Sequence, residues 1–223
     1  MVTLRELGGG DDPTPAHTDE EHEHRPWDLA QTRAFFGPKA ATWETKYPDD
    51  GPAYAAAIAE SAPPAGGVAV DLGCGTGRAL TYLRRAVGDA GTVIGLDVTA
   101  QMLQVARERG RARHGLLALA DAVRLPLRDS TVDSFFAAGL VGHLSDLDQG
   151  LREFARAARP GATLTLFHPL TRSALAARRG RALRADDPLR EAPLAAALDR
   201  TGWRLERYDD GADRFYVRAR RVR

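Results

Sequence analysis

The sequence predicts an α/β fold of three layers, with helices covering both faces of a mostly parallel β-sheet. Three features of the 223-residue chain point there. Short apolar runs alternate with helix-period patterns between residues 68 and 167, the rhythm of repeated β-α-β units. The first run ends in a glycine-rich turn, Asp71-Leu72-Gly73-Cys74-Gly75-Thr76-Gly77. The last two runs are joined by so short a loop that their strands must be antiparallel.

In chain order, residues 1–26 combine Gly, Asp, Pro, Glu and His with few apolar anchors, the composition of a flexible leader. His17, His22 and His24 lie close together there, but spacing alone fixes no tetrahedral geometry, and no metal is expected. Residues 27–62 gather Trp27, Phe35, Phe36, Trp43, Tyr47 and Tyr54. Pro38, Pro48 and Pro52 divide this segment into two or three short helices, which staple to the core, form a lid over a cleft, or do both. Residues 63–223 make up the main domain. Val68–Leu72 is a buried strand, and 78–87 is a helix with Leu80, Leu83 and Val87 on one face. A second strand covers 92–96, and Thr99 is placed to N-cap a helix carrying Met102, Leu103 and Ala106 on one side. Strands follow at 116–120 and 132–138. A helix at 146–158 is stopped by Pro160-Gly161 and gives way to a fifth strand at 162–167. A helix at 189–201 then leads to strands at 203–208 and 214–219, an antiparallel hairpin that closes the sheet.

At 43% hydrophobic residues the chain can bury a substantial core. Its one cysteine, Cys74, permits no intrachain disulfide. No stretch approaches the ~18 apolar residues of a membrane span, and the N-terminus lacks the apolar core of a signal peptide. A soluble cytoplasmic protein is the expectation. Net charge is +1, and acids such as Asp186, Asp187 and Asp209 interrupt the arginine-rich stretch from residue 172 onward. Interspersed signs argue against a nucleic-acid face, and no membrane partner is expected. A small-molecule substrate and a monomer or homodimer fit this composition.

Glycines at 73, 75 and 77 let the chain turn sharply and let a ligand approach the backbone, and the helix start behind them offers free N–H groups. Their G-x-G-x-G spacing differs from the G-x-G-x-x-G of dinucleotide sites. Asp71 would repel a pyrophosphate but attract a cationic amino group. Asp97 ends the second strand about 20 residues beyond Gly77, where a carboxylate can accept both ribose hydroxyls. Asp121, at the end of the third strand and followed by Ala122, can accept from an adenine amine. Three acids at the carboxyl ends of three successive strands lie where open α/β sheets bind ligands. S-Adenosylmethionine (SAM), which carries an ammonium group and no phosphate, suits them better than a nicotinamide dinucleotide.

The run Val70-Asp-Leu-Gly-Cys-Gly-Thr-Gly77 is followed by Gly95-Leu-Asp97, Ala120-Asp-Ala122, Val132-Asp-Ser-Phe-Phe136, Gly142-His-Leu-Ser145 and Arg159-Pro-Gly-Ala162. This series resembles the class I SAM-dependent methyltransferases, in particular the UbiE-like or type 11 group, from Val68 to about Pro169. The resemblance implies a Rossmann-like, seven-stranded sheet with its last strand antiparallel. It also implies direct displacement of a methyl group from SAM, leaving S-adenosylhomocysteine. Carried over by position, it sets Asp71, Gly73, Cys74, Gly75 and Gly77 round the methionyl part. Asp97 would bind ribose, Asp121 and Ala122 adenine, and Val98 and Met102 would flank the adenine. Ala138 and Gly139 would lie near the sulfonium, and Tyr47 matches lid tyrosines of the group.

Methyl transfer needs an acceptor aligned with the S–CH₃ bond, and a base only where the acceptor must lose a proton. His143, after the fourth strand, and His168, after the fifth, are the candidate catalytic bases, each with a structural alternative. The Asn-Pro-Pro-Tyr-type motif of amino-group methylators is absent, and Gly139-Leu-Val-Gly142 stands there instead. Arg172, Arg178, Arg179, Arg181 and Arg184 form a basic insertion suited either to an anionic substrate or to a solvated helix face. The expected activity is methyl transfer to an O, N or C centre of a small molecule. The alternatives are a non-catalytic SAM-binding regulator or scaffold with the same fold, and a nicotinamide-dependent oxidoreductase, which Asp71 and the glycine spacing disfavour.

Overall fold

Phe135 and Phe136 are adjacent on one strand, so they point to opposite faces of the sheet, and both are fully buried. That strand therefore needs a helical layer on each side. The computed structural model describes residues 28–46, 50–211 and 213–222, and in them both layers are present. The leader with its three histidines, Trp27 and Tyr47 lie outside the described residues.

Seven strands, β1 (Val68–Leu72), β2 (Thr92–Asp97), β3 (Leu116–Leu119), β4 (Val132–Ala138), β5 (Ala158–His168), β6 (Trp203–Asp209) and β7 (Phe215–Arg221), lie in the order β3-β2-β1-β4-β5-β7-β6. The first five run parallel, while β7 is antiparallel to both β5 and β6. The chain winds outward from β1 in one direction and from β4 in the other. The order thus reverses between β1 and β4, the place where such sheets open a crevice.

On one face, Ala69, Val93, Phe136, Phe167 and Tyr216 pack against helices α2 (Gly51–Ser61) and α3 (Leu80–Val87). α1 (Leu29–Phe36) and a 3₁₀ stretch (Gly37–Lys46) precede α2, and α4 (Ala100–Glu108) follows β2. On the other face, Val70, Leu72, Phe135, Leu164 and Val217 pack against α5 (Leu147–Ala157) and α7 (Glu191–Arg200). A short α6 (Arg172–Arg178) occupies the basic insertion.

Two local expectations are corrected. Pro160-Gly161 does not stop α5, because that helix ends at Ala157 and Ala158 already pairs with Val132. The next pair is Ser134 with Thr163, so the proline and glycine sit in a bulge of β5, where a missing N–H and a positive φ of 81° are tolerated. Thr99 holds the N-cap position of α4 but makes no side-chain cap bond. Its amide and hydroxyl turn instead to the Asp97 carboxylate, the stronger acceptor.

Trp203 is completely buried under α5 and α7, and its indole N–H donates to the Leu151 carbonyl at 2.9 Å. Trp203→Ala should cost about 3–5 kcal/mol in urea unfolding, the range for large aromatic deletions in a core. A loss below about 1 kcal/mol would contradict this packing.

Candidate functional site

A cleft of about 900 Å³ opens at the carboxyl ends of the parallel strands, spanning the switch point between β1 and β4. Asp71, on β1, is 2% exposed, and its Oδ2 has no hydrogen-bond partner among the described residues. Burial pushes its carboxyl well above the usual carboxylate range, and the negative charge of Asp97 adds to the effect. A buried acceptor left without a donor is costly in a folded protein, so this oxygen marks a place for a ligand.

Asp97 closes β2 and is 8% exposed. Its Oδ2 accepts from the Gly75 amide and its Oδ1 from the Thr99 amide, each at 2.8 Å. Burial raises this carboxyl as well, and those amides oppose the rise. The bond to Gly75 holds the glycine turn against β2. Gly73 adopts a φ of +63°, and a Cβ there would lie 2.9 Å from Leu140 Cδ1, so only glycine fits.

Of the residues singled out in the sequence, Asp71, Gly73, Cys74, Gly75 and Asp97 line the cleft. Val98, Met102, Asp121 and Ala122 line it beside them, and Ala138 and Gly139 lie across the floor at the end of β4. Asp121 anchors its own turn by accepting from the Val123 amide at 3.0 Å. Gly77 is not among the lining residues. A Cβ on it would meet Leu80 Cδ1 at 3.0 Å and Ala106 Cβ at 3.4 Å, so its glycine serves the close packing of α3 and α4 behind the turn.

His143 and His168 both reach the cleft. His143 stands edge-on to Phe36, with centroids 5.2 Å apart. His168 Nδ1 is bound to the Leu170 backbone, with the amide at 3.0 Å. Burial, followed by the charge of Arg179, pulls both imidazoles down to about 4. Both are neutral at pH 7 and weak proton acceptors, better suited to hydrogen bonding than to abstracting a proton.

Sequence reasoning missed Glu44. This carboxylate, on the 3₁₀ stretch, receives the Thr76 hydroxyl at 2.5 Å, Arg109 Nη1 at 2.7 Å and both terminal nitrogens of Arg111. Burial alone would raise it, but the bonds from Arg111 and Thr76 outweigh burial and hold it low. Arg33 Nε donates to the Val98 carbonyl at 3.1 Å, and Asp50 pairs with Arg78. Three ties thus fasten residues 28–46 and Asp50 to the glycine turn and its surroundings. Phe36 and Trp43, 5.3 Å apart edge to face, line the cleft from this side. No spacing rule relates Glu44 to Arg111, 67 residues away, so the tie is a product of tertiary structure.

Glu44→Ala should lower the hydrogen-exchange protection of residues 37–46 by about tenfold, as loss of a partly buried, charge-assisted network worth about 1–2 kcal/mol requires. Unchanged protection would show that the stretch is held by its aromatics alone.

Residues 70–166 match the family described as "Methyltransferase domain". The demethylmenaquinone methyltransferase of Roseiflexus sp. (strain RS-1) is 33% identical over 125 residues, covering 53% of this chain and 52% of the relative. Methyltransferase GfsG of Streptomyces halstedii is 40% identical over 107 residues, covering 46% and 37%. The matched region therefore spans only about a third to a half of these curated relatives. A SAM-dependent methyltransferase structure from Aquifex aeolicus shares the fold at a TM-score of 0.62 and 24% identity, over 88% of this chain and all of that one. The matched segment holds β1, the glycine turn, Asp71, Asp97 and Asp121, the features from which the cleft is built. Over residues 70–166 the chain matches the methyltransferase domain family and is similar to curated methyltransferases.

Proposed function

We propose that this protein transfers a methyl group from SAM to a small-molecule acceptor by direct displacement, releasing S-adenosylhomocysteine. The observation that carries the reading is the buried, unpartnered Oδ2 of Asp71 in the cleft. An ammonium group supplies the donor this oxygen lacks, whereas a pyrophosphate would meet like charge. When bound, SAM supplies an electrophilic methyl group on a sulfonium. Asp71 and the Gly73–Gly75 backbone would hold its methionyl part, Asp97 the ribose, and Asp121 with Met102 the adenine. Ala138 and Gly139 would lie nearest the reacting end. Two curated relatives are named as methyltransferases of demethylmenaquinone and of 2-phytyl-1,4-naphtoquinone, which supports a small-molecule acceptor.

The protein's own part in the chemistry is placement. Phe36, Trp43 and Tyr54 line the cleft from the N-terminal segment and would shield a bound ligand from water, which strengthens charge interactions inside. Tyr54 is fixed on the sheet by edge contact with Phe167 at 5.2 Å. His143 and His168, neutral at pH 7, would orient the acceptor by hydrogen bonds. Residues 27–62 would then serve as the lid of the cofactor site, and the protein would work in the cytoplasm as a monomer or homodimer.

Two substitutions test the site. Asp97→Ala should weaken SAM binding by well over tenfold in calorimetry, since buried hydrogen bonds to a charged group are lost. Unchanged affinity would sink the assignment. Asp71→Asn should weaken SAM at least as much, yet stabilise the unliganded protein at neutral pH. The raised carboxyl binds its proton more tightly folded than unfolded, so its contribution is favourable below about pH 4 and is lost as pH rises through the folded value. Asparagine carries no such pH-dependent penalty. Urea midpoints at pH 4 and pH 7 check this, and an Asp71→Asn variant less stable at pH 7 than the parent would contradict it.

A further inference from the structure

The two edges of the sheet are protected unequally. β6, at one edge, exposes Arg204, Glu206 and Arg207, charges that keep another strand from adding to it. β3, at the other, reads Leu116-Leu117-Ala118-Leu119 and carries no charge. Leu116 is 67% exposed and Leu119 54%. With Leu29, at 40%, they are three of the four exposed large apolar side chains among the described residues. Leu29 and Leu119 share one depression, beside Ala120 and Pro126.

The start of this edge is basic. Burial, followed by the charges of Arg113, Arg85, Arg84 and Arg111, holds the His114 imidazole below its usual range. Arg111 is paired with Glu44, and Arg84 donates to the carbonyls of His114, Gly88 and Gly91. Arg113 Nε donates to the His114 ring at 3.1 Å, and Arg85 lies 5.9 Å from the Tyr82 centroid. Neither Arg85 nor Arg113 forms an ion pair among the described residues, and Asp89, exposed on the turn after α3, pairs with neither.

We propose that residues 19–27 of this chain dock along the β3 edge, with Asp19, Glu20, Glu21 and Glu23 meeting Arg85 and Arg113, and Trp27 covering Leu119. The leader joins the described chain at Asp28, next to Leu29, so it starts from the depression at the carboxyl end of β3. Arg113 stands six residues before Leu119, at most ~20 Å along the edge. The four acids stand six to ten residues before Leu29, a reach of up to about 20–33 Å, so chain length sets them beside the basic start of the edge. Arg25 is the one arginine among them, and at neutral pH the segment stays acidic. The tether supplies a high effective concentration, which makes up for the small worth of each exposed ion pair. Docked there, the leader covers an edge that would otherwise be open to a strand of another chain.

The test puts a reporter thiol on the edge of the full chain. Cys74 is 7% exposed and burial pushes its thiol well above the usual range, so Leu116→Cys supplies the one reactive thiol, and an unlabelled Cys74 reports that each variant is folded. Maleimide labelling of Leu116→Cys at low salt should quicken about fivefold when Glu20→Gln/Glu21→Gln/Glu23→Gln is added, and equally when Arg85→Gln/Arg113→Gln is added instead. Salt at ~0.5 M should quicken the parent to the same degree and leave both variants unchanged. Equal rates throughout, or acceleration by only one of the two sets of substitutions, would overturn the proposal. Slow labelling that persists in the leader variant and slows further as protein concentration rises would assign the edge to a second copy of the chain, and overturn it as well.

Discussion

A carboxylate oxygen buried without a donor is what the architecture of this protein is arranged around. Asp71 sits on β1, beside the strand-order reversal, where the sheet is covered on both faces and water is scarce. Left alone, the oxygen is a liability, and the like charge of Asp97 makes it worse. The glycine turn takes the backbone sharply away from it, and the amides of Gly75 and Thr99 spend themselves on Asp97 instead. On the proposed function, the fold accepts a local loss of stability so that an ammonium group would find a partner already desolvated, a preorganisation that water cannot match.

The rest of the molecule keeps that arrangement closed. Glu44 draws the N-terminal segment onto Thr76, Arg109 and Arg111, so the turn that shapes the cleft is also the anchor of the segment that covers it. One carboxylate thereby joins the outer segment to the inner turn. At the far end of the cleft, burial keeps the half-buried His143 and His168 neutral, and the charge of Arg179 adds to the effect. A neutral imidazole beside a guanidinium favours positioning over proton transfer, which fits a reaction that depends on alignment.

Much of this was legible in the sequence because it is local. Apolar runs such as Val68–Leu72 and Val132–Ala138 coincide with the strands, since a strand buried on both faces has little choice of residues. The three acids were readable because a parallel sheet puts strand ends on one edge. What escaped depends on distant parts of the chain. Gly77 has a packing role that the motif does not announce, since a Cβ there would crowd Leu80 and Ala106. Pro160-Gly161 read as a helix stop, but Ala158 had already found Val132 across the sheet. Thr99 read as a cap, and lost its hydroxyl to a buried carboxylate two residues back. Glu44 gave no signal at all, because its partners belong to a turn and a helix end far along the chain.

Asp71 is proposed to pair with an ammonium group, and a crystal structure of the chain with S-adenosylhomocysteine would show whether it does. The expected complex has the amino group of the ligand paired with Asp71 Oδ2, the ribose on Asp97 and the adenine beside Asp121. A ligand lodged elsewhere, or an Asp71 oxygen still without a donor in the occupied protein, would contradict it.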